Sequence, residues 1–403
     1  MIDCGHFGET VTSRDQQWAK GRNRRQAFRA IAGFLAGSPL LRTQQDTFRD
    51  HSRVPALDEL KTAFDFEPVA YAKLPRYNYD YTAYGTDGEF TLRRNRQAFD
   101  WVELIPNRAS DAATIQTPAE ILGTRMAFPI LISPSAGHSM LHPDGELATY
   151  QGAIAASNTP LIVSNVSSFP FEKIAASGKG TLWFQLYPKL EPDDNREVLE
   201  RVQAAGAKAV VVTIDQQADV HERALHDRHL VAGTPAARRA PARNRYRVAE
   251  NRLFYHWPIF DQIRAMVKVP LLAKGVLTAE DARLCLEHGL DGIYVSNHGG
   301  RSLDYSPSTL EVLPEIVDAV AGRVPILFDS GVRRGADALK ALALGANAVC
   351  LGRVPRWGLA AYGAPGVQRI LEILQAELAG AMAYTGRPSL ASINRTLVRA
   401  DFP

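Results

Sequence analysis

With 403 residues, 46% hydrophobic and 22% charged, the chain has the composition of an ordinary globular protein, long enough for one large domain or two smaller ones. Its formal net charge of +3 is slight and its Lys and Arg residues are scattered, which argues against a nucleic-acid partner. Cys4, Cys285 and Cys350 lie far apart without metal-like spacing, and the last two fall in apolar runs, so they read as packing residues rather than ligands or a disulfide.

In chain order, residues 1–60 read as an N-terminal extension ahead of a main domain at 61–403. Asn23-Arg24-Arg25-Gln26-Ala27-Phe28 precedes the weakly apolar stretch 30–41, the order of a twin-arginine export signal. That stretch is too short for a membrane span, Arg42 ends it, and a helix packed on the main domain would look the same. A cytoplasmic chain is therefore expected, with export to a periplasm as the alternative. Residues 42–60 are polar and read as a linker. Leu74–Ile105 follows as a helical and loop segment whose Tyr79-Asp80-Tyr81-Thr82-Ala83-Tyr84-Gly85 is aromatic enough to cover one mouth of a barrel.

From Phe128 onward, short β-branched runs alternate with longer amphipathic stretches, the pattern of parallel βα units. The runs are Phe128–Ala136, Pro160–Asn165, Leu182–Tyr187, Ala209–Asp215, Pro270–Val276, Gly292–Gly299, Pro325–Gly331 and Ala348–Val354. Between them, Asp194–Ala205, Ala279–His288, Ser308–Ala321 and Gly335–Leu344 carry apolar residues at helical spacing. Eight such runs predict a closed (β/α)8 TIM barrel with an N-terminal helical extension; an open doubly wound sheet would not need eight.

A TIM barrel presents its chemistry at the C-terminal ends of its strands. The sequence places polar residues there: Ser164 and Asn165, Gln185 and Tyr187, Thr213 and Asp215, Lys274, Ser296 with His298 and Arg301, Asp329 with Arg333, and Gly352 with Arg353. The last two exits combine glycines, arginines and a helix start, a setting for a phosphate monoester, although Gly-rich turns occur in any barrel. Lys274 follows an apolar approach that would bury its ammonium, so it awaits either an anion or a carbonyl to form a Schiff base. Asp215 either caps the next helix or partners a base.

His298 and Arg301 stand in SNHGGRSLDYSPSTLEVLPEI, residues 296–316. A base and a fixed cation three residues apart suit chemistry on a small organic anion. This segment resembles the active-site signature of the α-hydroxy acid oxidising enzymes that use flavin mononucleotide (FMN), the family of glycolate oxidase, lactate oxidase and mandelate dehydrogenase. The resemblance extends from about Leu74 to Arg399, with motifs at all eight strands. It implies FMN as cofactor and oxidation of an L-2-hydroxy acid to the 2-oxo acid, as hydride or through a carbanion. It also implies a homotetramer, and oxygen or another electron acceptor such as a quinone or cytochrome. There is no CxxCH for a fused haem domain and no apolar insert for a membrane anchor.

Residue by residue, the resemblance makes His298 the base, Asp215 its partner and Arg301 the grip on the substrate carboxylate, with Tyr81 and Tyr187 holding substrate. Lys274 balances the reduced ring. Ser135, Ala136, Ser164, Gln185, Thr213 and Ser296 match positions around the isoalloxazine, and Asp329, Gly331, Arg333, Gly352 and Arg353 the ribityl phosphate end. Three departures stand out. His221 occupies the place of an arginine that adds a second positive contact to the substrate pocket, and Val166 that of a tryptophan in glycolate oxidase. The stretch His229–His256 is shorter than in the plant enzymes and rich in Arg, Ala and Pro; it reads as a lid, with Arg238, Arg239, Arg243, Arg245 and Arg247 in it. A flavin-dependent isomerase would bind FMN without needing His298, Arg301 and Asp215, and a flavin-binding protein without turnover would not keep the base.

Overall fold

Apolar residues on both faces of short β runs produce strands that must be covered on both sides, the condition for a parallel sheet wrapped in helices. A computed structural model describes residues 53–107, 114–216 and 255–403. Its eight parallel strands close in the order β10-β11-β4-β5-β6-β7-β8-β9. They are β4 (Ile130–Ile132), β5 (Leu161–Ser164), β6 (Leu182–Leu186), β7 (Val210–Thr213), β8 (Leu271–Val276), β9 (Gly292–Val295), β10 (Ile326–Phe328) and β11 (Ala348–Leu351). Each lies within one of the eight predicted runs, so the predicted (β/α)8 barrel is the fold.

Alternation along the strands divides the core in two. Leu131, Ile162, Trp183, Ala209, Val211, Leu272, Tyr294, Leu327, Ala348 and Cys350 point inward and fill the barrel. Their neighbours, such as Ile130, Val163, Phe184, Val210, Ala273 and Ile293, point outward under the helices. The helices are those whose periodicity predicted them: α6 (Pro192–Ala204), α8 (Ala279–Glu287), α9 (Thr309–Val320) and α10 (Gly335–Ala343), beside α4 (Gly145–Ala155), α5 (Phe171–Ala176), α7 (Pro258–Arg264) and α11 (Arg353–Tyr384). Ser308 caps α9 and closes a capping box with Glu311, while Thr278 accepts the Asp281 N–H at the start of α8. Within α11 the helical path breaks at Tyr362 and Gly363, just before Pro365.

Both ends of the barrel are covered. A hairpin of β2 (Ala119–Ile121) and β3 (Thr124–Met126) closes the N-terminal end; its two-residue turn, Leu122 and Gly123, has positive φ at both positions. Ile121 and Met126 join the interior cluster, and the Trp183 indole N–H donates to Thr124 Oγ1 at 2.9 Å. The C-terminal mouth is bordered by α2 (Arg76–Ala83) and α3 (Phe90–Gln97), while α1 (Phe66–Lys73) packs against α11. Asn95 and Asn297 exchange side-chain hydrogen bonds of 2.8 and 2.7 Å, Arg94 grips Glu311 at 2.6 and 2.8 Å, and Arg96 reaches Asp337 at 2.5 Å, pinning α3 across the exits of β9 and β10.

Two details differ from the sequence reading. Val102–Leu104, expected inside a helical and loop segment, is a strand, β1, paired antiparallel with β12 (Val398–Ala400). Its partner lies at the other end of the chain, beyond the reach of any local pattern. Leu57–Glu59 forms a short 3-10 turn and Leu60 is buried, so the polar stretch 42–60 meets the core at its end. The twin-arginine stretch, Cys4, His221 and the lid arginines lie outside the described residues.

Candidate active site

One pocket at the C-terminal mouth is lined by residues from all eight strand exits and from α2. Of the residues the sequence singles out, Tyr81, Ser135, Ala136, Ser164, Gln185, Tyr187, Thr213, Lys274, His298, Arg301, Asp329, Gly331, Arg333, Gly352 and Arg353 line it. Ser296 is fully buried behind this lining: its Oγ accepts from Lys274 Nζ at 2.8 Å and from the His298 backbone N–H at 3.1 Å. Asp215 stands close behind His298 in the same way.

His298 Nδ1 lies 2.8 Å from Asp215 Oδ1, with the two side chains 19% and 9% exposed. Burial pushes the imidazole below its ordinary pKa, against the pull of Asp215, and Lys274 and Arg301 add to the lowering. Burial works upward on the Asp215 carboxyl, but the charges of His298 and Lys274 hold it below its ordinary value. A neutral imidazole beside an ionised carboxylate carries its proton on Nδ1 and turns a lone pair on Nε2 to the pocket. The Tyr187 hydroxyl stands 3.5 Å from that nitrogen and donates to Gln216 Oε1 at 3.3 Å.

Helix ends leave unsatisfied carbonyls that attract cations. At the end of α2, Arg301 Nη1 donates to the Tyr81 carbonyl at 2.5 Å and to that of Tyr84 at 3.2 Å, and its guanidinium lies 4.9 Å from the Tyr81 ring centre. Arg353 donates to the carbonyls of Thr82 and Gly299 at 2.8 Å and of Tyr84 at 3.2 Å. Arg356, which the sequence reading missed, reaches the Ala136 carbonyl at 2.7 Å and Thr82 Oγ1 at 3.0 Å. Burial lowers the pKa of Arg333, Arg353 and Arg356, that of Arg356 to about 10; neighbouring guanidinium groups add to the lowering, and the Glu67 charge opposes it at Arg333 and Arg353. Among the described residues none of these three forms an ion pair with a carboxylate, so the pocket is a concentration of buried positive charge suited to anions.

The lining also fits a flat heteroaromatic with polar edges. Gln185 Oε1 accepts from Ser164 Oγ at 2.9 Å, while Gln185 Nε2 and Thr213 Oγ1 are buried without a protein partner. Buried donors of this kind call for a ligand that accepts from them. Gly331, at φ 85°, sits where a Cβ would come within 2.1 Å of the Asn95 carbonyl oxygen, so no larger residue fits in that turn.

The FMN-dependent dehydrogenase family model matches residues 70–400. The chain belongs to this family. Among FMN-dependent dehydrogenases and their relatives, it is 38% identical to a peroxisomal (S)-2-hydroxyacid oxidase of Arabidopsis thaliana over 356 residues, 86% of this chain and 98% of that one. It is 37% identical to the glycolate oxidase of Spinacia oleracea over 358 residues, 85% of this chain and 97% of that one. A crystal structure of mandelate oxidase with benzoylformic acid superposes with a TM-score of 0.77 at 35% identity, covering 85% of this chain and 99% of that one. As a member of an FMN-dependent family, the protein has FMN as its cofactor, and the orphaned donors and clustered guanidinium groups fit it.

Proposed function

We propose that this FMN-dependent dehydrogenase oxidises an (S)-2-hydroxy acid to the 2-oxo acid and that oxygen reoxidises its flavin. The observation that carries the reading is the His298–Asp215 pair, opening on a pocket that Arg301 also lines. In this reading Arg301, with Tyr81 and Tyr187, holds the substrate carboxylate and hydroxyl, for which a planar guanidinium fork is suited. His298 Nε2 accepts a proton from the substrate, and Asp215 keeps the ring in the right tautomer and stabilises its charged form. Bound FMN would supply the acceptor for the electron pair released at the substrate α-carbon. Ser135, Ala136, Ser164, Gln185, Thr213 and Lys274 would hold the ring, and Asp329, Gly331, Arg333, Gly352 and Arg353 the phosphate end.

A flavin-dependent isomerase would bind the same cofactor but has no use for a buried base poised beside a carboxylate grip. The assigned acceptor is oxygen; a quinone or a cytochrome is the alternative outcome of the test. A homotetramer, with lactate among the substrates, completes the proposal on the family resemblance; a cytoplasmic location, with a periplasm as the alternative, rests on the N-terminal sequence alone. No helix among the described residues is long and apolar enough to cross a membrane. The deciding experiment adds a panel of 2-hydroxy acids to the purified yellow protein without oxygen, then admits air. Bleaching by one acid and recovery in air support an oxidase; bleaching without recovery moves the assignment to another acceptor, and no bleaching overturns the reading.

A further inference from the structure

Beneath the pocket, on the inward face of β9, Tyr294 is fully buried in the barrel interior. Its hydroxyl donates to Asp329 Oδ2 at 2.9 Å and lies 2.7 Å from Ser133 Oγ. Ser133 Oγ also donates to Asp329 Oδ2 at 3.2 Å, and Ser330 Oγ donates to Asp329 Oδ1 at 2.9 Å. Lys274 Nζ stands 3.8 Å from Asp329 Oδ2, beyond hydrogen-bond length, and bonds Ser296 instead. Both charged groups are nearly excluded from water, at 3% and 9% side-chain exposure, so their separation governs how much of the lysine charge reaches the pocket.

We propose that Tyr294 is a positioning residue that sets the reduction potential of the bound flavin, by engaging Asp329 and holding it back from Lys274. The proposal rests on the reading of the pocket as an FMN site. Hydroxyl donors on both carboxylate oxygens spread its charge and satisfy its lone pairs without the ammonium. Lys274 is then left to face the pocket, where its charge would stabilise the negative charge that a bound flavin gains on reduction. Burial and the Asp329 charge push the Tyr294 phenol well above its ordinary pKa, so it stays a donor throughout the working range. Without the hydroxyl, Oδ2 keeps one weaker hydroxyl donor, and the nearest strong one is Lys274. The carboxylate closes on the ammonium, the positive charge at the pocket floor falls, and the reduced cofactor loses stabilisation.

Tyr294→Phe tests this cleanly, because it keeps the ring that packs the interior and lies 5.3 Å from Lys274 Nζ. The holoenzyme is titrated with dithionite beside a reference dye, a readout that needs no 2-hydroxy acid. At the potential that half-reduces the wild-type flavin, the reduced-to-oxidised ratio of the variant is expected to fall about tenfold, about 30 mV for a two-electron couple. Ser133→Ala removes the other hydroxyl donor to Oδ2 and is expected to lower the ratio by a smaller factor. A merely structural hydroxyl would lower the melting temperature and leave the ratio alone; an unchanged or raised ratio in Tyr294→Phe overturns the proposal. If Tyr294→Phe does not retain flavin, Ser133→Ala decides by the same criterion. A wild type that holds flavin but ignores every 2-hydroxy acid would overturn the assigned reaction and leave this proposal standing, whereas a wild type without flavin would overturn both.

Discussion

Asp215 and His298 sit 83 positions apart in the chain, yet the carboxylate of one lies 2.8 Å from the imidazole of the other. Asp215 leaves β7 and His298 leaves β9, with Lys274 on the intervening β8, so neighbouring strands bring three functional groups to one wall of the pocket.

Replacing His298 with alanine should abolish flavin reduction by substrate while leaving FMN bound, because the base acts on the substrate and not on the cofactor phosphate. Loss of a general base costs about 10²–10⁴-fold in rate. Rapid-mixing measurement of flavin bleaching checks this, and a wild-type rate in the variant would remove His298 from the mechanism.

Acid release of the cofactor followed by chromatography should yield FMN. Arg333 and Arg353 line the same pocket as Gly331 and Gly352, near enough for the charge of Arg333 to lower the pKa of Arg353, which suits one phosphate monoester. Recovery of FAD would contradict the assignment.

Arg301→Lys keeps the charge but loses the fork, together with the guanidinium contacts to the Tyr81 and Tyr84 carbonyls. Substrate affinity should weaken by about 2 kcal/mol, the scale of a hydrogen bond to a charged group. The 2-oxo acid product, titrated against the flavin spectrum, reads this directly. Unchanged affinity would place the carboxylate site elsewhere.

The pH dependence has a definite sign. His298 and His138 are both held below their ordinary pKa, chiefly by burial, so each is neutral in the folded protein at pH 7. Activity that needs neutral His298 should be level around neutrality, and its acid limb should fall below about pH 6.5, the unperturbed value. Stability follows the same direction. As pH drops below about 6.5 the unfolded chain takes up protons that the folded one resists, so the contribution is complete above that pH and lost below it. An acid limb in kcat/KM centred above pH 7 would contradict the assigned base.

Val166 is half exposed at the pocket wall, where the family resemblance implies a tryptophan in glycolate oxidase. The added space should favour a bulkier 2-hydroxy acid, with each buried CH₂ adding about 0.8 kcal/mol. Comparing kcat/KM for glycolate, lactate, 2-hydroxyoctanoate and mandelate checks this, and the idea fails if glycolate leads.

The barrel was legible because each strand is a short apolar run with a polar exit, a signal contained within a few residues. The pocket lining was legible for the same reason, since Gln185, Thr213 and Lys274 each end an apolar run. What stayed hidden depends on three-dimensional neighbours. Arg356 reads as one more charge on a helix until the structure buries it between Thr82 and Ala136. Tyr294 reads as a packing aromatic, although a phenol inside an all-apolar strand needs a buried partner and was in that sense a signal. The hairpin at Ala119–Met126 and the β1–β12 pair were too short to stand out from loops.

The backbone carrying the base has a wider consequence. His298, Gly299 and Gly300 all have positive φ, at 57°, 68° and 74°. The two glycines fit this run, but a histidine there costs roughly 1–2 kcal/mol. Selection for a more stable protein alone would drift away from histidine at this position, and stabilised variants obtained by screening for heat resistance without an activity assay should lose the base early. Persistence of His298 through such a screen would require that its bond to Asp215 outweigh the backbone strain.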